Sequence, residues 1–257
     1  MILRANNGGK KYKRIISVVP SLSELLFDLG LNEEVIGITK FCIHPQKWFK
    51  EKVRIGGTKT LQIEKIQALR PDLIIANKEE NDKGQIERLA ENCDVYLSDV
   101  NTLPDALKMI VRIGELTDHR QQAMELRFKI KKGFDTLSRH HATPNIRSAY
   151  FIWKNPWMVA ANNTFINEMM RYAGLENIFE EMSRYPAITI EELERLEPDL
   201  ILLSTEPYPF KEKDKEEFDL LFPKTKIAIA DGEMFSWYGS RLLKSIDYFH
   251  SFRKNIS

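Results

Sequence analysis

The stretch IEKIQALRPDLII, residues 63–75, is repeated later in the chain as IEELERLEPDLIL, residues 190–202, at an offset of 127 residues. In each copy, apolar residues at helical spacing lead to a Pro-Asp pair, and a short apolar run follows. The spacing predicts a helix that ends before the proline, and the apolar run predicts a buried strand. Two matched units of this kind, half a chain apart, predict two similar lobes.

The composition provides a core for each lobe and excludes several function classes. The chain has 257 residues, of which 43% are apolar, enough for two domains of roughly 100 to 130 residues. Lys and Arg total 38 against 37 Asp and Glu, a formal net charge of +1, which indicates no nucleic-acid or membrane surface. Cys42 and Cys93 lie far apart, so neither a disulfide framework nor a thiolate zinc site is indicated.

The first lobe is predicted over residues 14–103 as alternating strands and helices. The predicted strands cover 14–19, 35–39, 73–76 and 95–97, and the predicted helices cover 21–29, 62–69 and 85–91. Ser21 and Glu24 fit a capping box at the start of the first helix, and Gly30 marks its end. Alternation of this kind predicts a mainly parallel sheet.

A helical region over residues 104–142 is predicted to link the lobes. It contains no strand signal, breaks briefly at 116–118, and then carries apolar residues at helical spacing from Ala123 to Leu137. The second lobe is predicted over 143–257, with strands at 147–153 and 227–230. The predicted fold is therefore α/β, with two similar lobes of mainly parallel sheet, one long rigid helix joining them, and a ligand cleft between them.

No enzyme motif is present in the sequence. HExxH, GxSxG, GxGxxG and GxxxxGK[ST] are all missing, and the chain has only five histidines. We therefore predict no catalytic residue, no metal site made by the protein itself and no resident cofactor.

Aromatic residues concentrate in predicted loops at the carboxyl ends of strands, namely 41–45, 153–157, 184–186, 206–210 and 231–239. Loops at that edge of an α/β sheet bind ligands, so the set predicts a large, flat, mostly apolar ligand. The side chains predicted to contact it are Phe41, Trp157, Tyr185, Glu233, Phe235, Trp237 and Tyr238.

Two glutamates, Glu64 and Glu191, occupy the same position in the two repeats. An acidic residue in the first helical turn complements the helix dipole, which is one interpretation of the pair. The alternative is a two-point docking surface for a basic partner.

The chain resembles the vitamin B12-binding and iron-siderophore or heme-binding proteins of ABC importers. The resemblance covers most of the chain and rests on VVPSLSELLFDLG (18–30), RIGG (54–57), the Pro-Asp unit at 63–74 and NIF (177–179). It implies a substrate-binding protein with two lobes joined by one long helix. The most similar pattern is that of the cobalamin binders.

In the cobalamin binders, paired glutamates engage arginines of the membrane permease, which implies that role for Glu64 and Glu191. Aromatic residues line the corrin cleft of those proteins, at positions that match Phe41, Trp157, Tyr185 and Phe235. The chain departs from them where they carry tryptophans, since it has Thr58 and Asn77 there.

Because of these departures, another corrinoid, a heme or a ferric siderophore remains an alternative to cobalamin as the ligand. Siderophore binders use arginines against anionic ligands, and Arg184 and Arg241 are the candidates here.

The resemblance implies a monomer whose partners are a metal chelate, with a cobalt or iron centre, and the permease and ATPase of an importer. It implies a periplasmic or membrane-associated location. The N-terminal stretch contains no secretory signal, so a cytoplasmic location is expected if that terminus is native. Two alternatives remain: an intracellular carrier or sensor of the same ligand, and an enzyme that acts on a tetrapyrrole with Glu233 as its acid-base residue.

Overall fold

A computed structural model describes residues 2–3, 11–140 and 146–256 of the protein. The basic N-terminal stretch at 4–10 lies outside the described residues, as does the start of the predicted second lobe at 143–145. The chain forms two compact units. The first comprises Met1–Val100, Pro104–Lys129 and Tyr238–Arg241, and the second comprises Asn101–Leu103, Ile130–Trp237 and Leu242–Ser257.

The first unit is built on a six-stranded sheet in the order β1-β6-β5-β2-β3-β4. Its strands are β1 (Ile2–Leu3), β2 (Ile15–Ser17), β3 (Val35–Ile38), β4 (Val53–Arg54), β5 (Leu73–Asn77) and β6 (Asp94–Ser98). Only β1 is antiparallel to its neighbour. The helices between them are α1 (Pro20–Asp28), α2 (Gln46–Glu51), α3 (Ile63–Ala68) and α4 (Lys83–Ala90), followed by α5 (Leu103–Leu116) and α6 (Arg120–His140).

The second unit has a five-stranded sheet with the path β11-β10-β7-β8, and β9 also pairs with β7. The strands are β7 (Ile146–Trp153), β8 (Met158–Val159), β9 (Leu175–Asn177), β10 (Leu200–Ser204) and β11 (Lys226–Ala230). Only β8 is antiparallel to its partner. The helices are α7 (Phe165–Tyr172), α8 (Ile190–Leu196), α9 (Glu212–Leu221), α10 (Gly232–Ser236) and α11 (Leu242–Ile256).

The predicted α/β class with two mainly parallel sheets is confirmed. All five residues of β5 and all five of β10 are buried, which explains why the corresponding segments are continuous apolar runs. The predicted break at 116–118 separates α5 from α6, and α6 is a 21-residue helix. The chain passes from the first unit to the second within this helix. The lobe boundaries and the cleft remain predictions.

The Pro-Asp pair of each repeat ties a strand to its neighbour. Asp72 accepts hydrogen bonds from the backbone N–H groups just before β2, including that of Arg14 at 2.9 Å, and Asp199 accepts one from the N–H of Arg147 at 3.0 Å. The guanidinium of Arg14 donates to the carbonyl of Leu69, at the end of α3, at 2.6 Å. In the second unit, the guanidinium of Arg147 donates to the carbonyl of Leu196, at the end of α8, at 2.7 Å. The repeated sequence therefore encodes a repeated connection between a helix end and two strands.

The predicted capping box at Ser21 and Glu24 is wrong. Helix α1 begins at Pro20, and its N-cap residue Val19 makes no side-chain capping bond. Proline suits this position because its ring fixes a helical φ and the first N–H of a helix has no partner in any case. Ser21 and Glu24 consequently lie inside the helix.

Glu24 instead forms a buried ion pair with Arg241, 217 residues away in sequence but within the same unit. Both hydrogen bonds are 2.8 Å long, from Nε to Oε2 and from Nη2 to Oε1. The side chains are 6% and 5% exposed. A bidentate pair at this depth satisfies both charges, and each partner depends on the other to remain buried.

No helix of the described residues is long and apolar enough to span a membrane.

Replacement of Arg241 by alanine is expected to lower the free energy of unfolding by about 3 to 5 kcal/mol, because the Glu24 carboxylate would stay buried without its partner. Urea unfolding measures the change. The double variant Glu24→Leu with Arg241→Met is the control, since it removes both charges, and it should lose less stability than Arg241→Ala. An equal loss in the two variants would contradict a role for charge pairing.

Candidate functional site

In the first unit, Phe41 presents an exposed aromatic ring at the carboxyl edge of the sheet. It follows β3 and is 51% exposed. A Cβ placed on Gly57 would lie 3.1 Å from Phe41 Cε2, so the glycine allows the ring to lie against the turn. Gly56, with φ of 103°, shapes that turn, and the Lys40 ammonium lies 5.0 Å from the ring centroid. The RIGG motif therefore supports an aromatic surface that is open to a ligand.

Tyr238 lies in the same unit and is almost fully buried. Its hydroxyl donates a 2.5 Å hydrogen bond to Glu80 Oε1. Burial, reinforced by the charge of Glu80, raises the pKa of Tyr238 well above its usual value, so the phenol keeps its proton and acts as a donor. The structure therefore places this predicted site residue in an internal contact, and ligand contact by Tyr238 remains a prediction.

The two departures from the cobalamin-binder pattern have structural roles here. Asn77 is buried at the end of β5, where its amide donates to Ser98 Oγ and its Oδ1 accepts from the N–H of Glu79. The carbonyl of Thr58 accepts a 3.0 Å hydrogen bond from Asn81 Nδ2. These residues hold the edge loops of the first sheet together.

In the second unit, the loops after β7 and β10 meet as an aromatic cluster. Trp157 stacks on Phe210 at 6.4 Å between centroids and contacts Phe218 edge-on at 5.1 Å. Trp153 meets Tyr208 at 5.8 Å and is 40% exposed. Sequence reasoning selected Trp157, which is largely packed against the core, and missed Trp153, the more exposed indole of the same segment.

Phe235 is fully buried in α10 and packs against Tyr150 at 5.0 Å and Phe249 at 4.8 Å. The segment 231–239, predicted as a loop, thus contains a short helix whose central ring belongs to the core of the second unit. Glu233 in the first turn of α10 is partly buried. Ligand contacts by these two residues remain predictions.

Glu206, in the aromatic segment after β10, is a candidate site residue that sequence reasoning did not select. Its Oε1 accepts hydrogen bonds from Ser236 Oγ at 2.5 Å and from Trp237 Nε1 at 2.9 Å. Burial raises the pKa of Glu206 above the usual glutamate value, and it outweighs the two hydrogen bonds, which lower it. A Cβ on Gly232 would lie 2.5 Å from Glu206 Cγ, so only glycine fits beneath this side chain. The signal in the sequence was the acidic residue inside the aromatic segment 206–210.

Tyr185 is partly exposed and lies beside Arg184, whose guanidinium is 5.7 Å from the ring centroid. Arg184 is exposed and has a φ of 65°. Arg241, the other arginine considered for an anionic ligand, is held in the buried pair with Glu24. Arg184 is therefore the exposed arginine of the two.

Glu64 and Glu191 occupy the first turns of α3 and α8, as the repeat predicts. Both side chains are exposed, and hydrogen bonds from the backbone of the first turn hold the pKa of each carboxyl below its usual value. Glu64 also meets Arg88 at 3.0 Å. The two carboxylates are thus ionised and accessible, each at an equivalent place in its own unit.

Among the described residues, no group of three or more His, Cys, Asp or Glu side chains could hold a metal ion.

The family model described as periplasmic binding protein matches residues 15–220 of the chain. The chain belongs to this family. The family predicted from the sequence is thereby confirmed.

Individual relatives and solved structures are similar to this periplasmic binding protein. A vitamin B12-binding protein of Vibrio parahaemolyticus is 24% identical over 195 residues, which cover 75% of this chain and 70% of the relative. The periplasmic vitamin B12 binding protein of Vibrio cholerae has a TM-score of 0.79 at 21% identity, over 95% of this chain and 98% of that one. A periplasmic heme binding protein from Pseudomonas aeruginosa has a TM-score of 0.80 at 20% identity, over 94% and 92%. At these identities the structural matches show a shared fold.

Replacement of Glu206 by glutamine is expected to alter how stability depends on pH. A carboxyl with a raised pKa in the folded chain favours folding below its unfolded value of 4.5, and that contribution is lost as pH rises through the raised pKa. The unfolding free energy of the wild type should therefore fall relative to that of Glu206→Gln as pH rises above 4.5. Denaturant unfolding across this range measures the difference, and exposed Glu194→Gln is the control. A constant difference would contradict the raised pKa.

Proposed function

We propose that this protein is the substrate-binding component of an ABC importer for a metal chelate. The ligand class is a cobalamin or another corrinoid, with a heme or a ferric siderophore as the neighbouring classes. The protein binds the chelate and delivers it to a membrane permease that works with an ATPase. It works outside the cytoplasmic membrane, as a monomer, and releases its ligand chemically unchanged.

The observation that carries the proposal is the open aromatic surface of Phe41 within a chain of the periplasmic binding protein family. An exposed phenylalanine that lies against a glycine turn adds little buried surface to the hydrophobic core of the protein, and it presents a flat apolar face to the solvent. Trp153 and Tyr208 offer a second such face at the carboxyl edge of the other sheet. Flat aromatic surfaces can stack on the conjugated face of a macrocycle.

Relatives of the chain support a chelate as the ligand. Curated relatives are named vitamin B12-binding proteins, and solved structures of the same fold include proteins named for vitamin B12 and for heme. The side chains that we propose for ligand contact are those predicted from the sequence, with exposed Trp153 added. Exposed Arg184 is the group that we propose for an anionic substituent of the ligand, such as a propionate or a siderophore carboxylate.

Delivery requires a surface that the permease recognises. We propose that Glu64 and Glu191 form that surface, because both are ionised, exposed and equivalent by the internal repeat. Charge pairs at the rim of an interface govern the rate of encounter and the choice of partner. Arginines of a permease would satisfy both carboxylates.

Titration with cyanocobalamin, cobinamide, hemin and a ferric siderophore should quench the fluorescence of the four tryptophans for one of these ligands. Phe41→Ala should weaken that binding about fivefold, because an aromatic contact contributes about 1 kcal/mol. Phe128→Ala is the matched control, since Phe128 is 67% exposed and lies within α6, outside the aromatic loops that follow the strands. Absence of quenching and of a thermal shift with all four ligands would refute chelate binding.

The double variant Glu64→Ala with Glu191→Ala should bind the chelate as tightly as the wild type while uptake through the importer fails, because only docking charges are removed. Reconstituted uptake and ligand titration are measured side by side. Glu87→Ala with Glu194→Ala removes two exposed carboxylates from α4 and α8 and serves as the control. Lost ligand affinity in the first variant, or equal uptake in both, would count against docking by this pair.

A further inference from the structure

Three large apolar side chains are exposed around helix α2 of the first unit. Ile43 precedes the helix, Phe49 lies on it and Val53 follows on β4, and their exposed fractions are 45%, 38% and 37%. At 1.5 Å per residue, α2 is only about 9 Å long, so these residues lie within one short segment of the chain, residues 43–53. An exposed apolar group of this kind marks an interaction site more often than an isolated exposed residue does.

The same segment concentrates positive charge. Residues 40–54 include five Lys and Arg residues and a single acidic residue, Glu51, although the whole chain is almost neutral. Lys47 and Lys50 on α2 are exposed, and neither shows a hydrogen bond or an ion pair with any described residue. The balanced charge of the complete sequence therefore conceals a local basic surface.

The helix is fixed so that these groups face outward. Trp48 is fully buried, donates from Nε1 to Asn32 Oδ1 at 3.1 Å and meets the ring of Phe27 edge-on at 5.4 Å. Successive residues of a helix diverge by about 100°, so a buried Trp48 directs Lys50 to the opposite side and Phe49 to the flank. The fixed helix therefore orients a surface that we call the basic-apolar patch, made of the side chains of Ile43, Lys47, Phe49, Lys50, Val53 and Arg54.

Arg54 places a positive charge directly beside an exposed aromatic ring of the patch. Its guanidinium lies 4.4 Å from the centroid of the Phe49 ring and donates to the carbonyl of Lys52 at 2.7 Å. A cation beside an exposed aromatic ring matches the boundary between lipid head groups and acyl chains, where aromatic rings insert and cations meet phosphates. A polar protein surface would leave the three apolar side chains without a favourable environment.

We propose that the basic-apolar patch, made of Ile43, Lys47, Phe49, Lys50, Val53 and Arg54, binds the surface of a membrane that contains anionic phospholipid. The cations attract the anionic head groups, and Ile43 and Phe49 enter the interface. This contact needs no chelate and no permease, so it is independent of the function proposed above.

The test is co-sedimentation of the protein with vesicles, without added ligand. Binding is expected to phosphatidylcholine vesicles that contain phosphatidylglycerol, to weaken in high salt, and to be much lower with phosphatidylcholine alone. Lys47→Glu with Lys50→Glu should lower the partition coefficient by at least about tenfold, because each cation near an anionic surface contributes substantially to binding. Ile43→Ser with Phe49→Ser should lower it as well, since the apolar insertion is lost.

The matched control is Leu220→Ser with Leu221→Ser. These residues, 84% and 43% exposed, end helix α9, which carries five acidic residues against two lysines, so the variant removes exposed apolar surface from a region of opposite charge balance. It should bind vesicles like the wild type, and thermal unfolding verifies that every variant is folded. No binding to the anionic vesicles, or undiminished binding by Lys47→Glu with Lys50→Glu, would overturn the proposal. An equal loss in the control variant would also overturn it.

Discussion

Both units depend on one connection, in which an aspartate at the start of a buried strand binds the backbone at the start of the neighbouring strand. Asp72 sets β5 beside β2 with Leu73 opposite Ile15, and Asp199 sets β10 beside β7 with Leu200 opposite Ser148. Because the register of parallel strands is fixed at their amino ends, the residues that leave their carboxyl ends are fixed too. The ligand contacts predicted from the sequence follow the carboxyl ends of strands, in loops or, for Glu233 and Phe235, in helix α10.

The aromatic residues at the carboxyl edges divide into two groups by their surroundings. Phe235 and most of Trp157 pack within the second unit, where rings gain from contact with one another. Phe41 and Trp153 keep large exposed faces, at the ends of β3 and β7. Aromatic residues of the same types therefore contribute to the core at some positions and remain exposed, as proposed ligand contacts, at others.

The fold was predictable because its signals are local or periodic. The repeat at 63–75 and 190–202, the buried runs of β5 and β10, and the glycine that ends α1 are all visible in short windows, and Gly30 has a positive φ of 100°. The resemblance of longer motifs to a family then supplied the class of function.

The errors arose where the partner of a residue is distant in sequence. Glu24 matched a capping box by spacing, but its partner Arg241 lies 217 residues away. Sequence reasoning did not select Glu206, because its hydrogen bonds come from Ser236 in α10 and from Trp237 at the end of that helix. This segment was predicted as a loop. The net charge of the whole chain is an average over 257 residues, so it does not describe the basic segment 40–54 on which the proposed membrane contact rests.

The position of Arg241 also has a consequence for synthesis on the ribosome. The first unit includes Tyr238–Arg241, so it remains incomplete until nearly the entire polypeptide has been translated. A nascent chain that stops short of Arg241 holds the Glu24 carboxylate in α1 with no arginine to accompany it. The first unit, although built mainly from the amino-terminal half of the chain, is therefore completed only by residues near the carboxyl-terminal end.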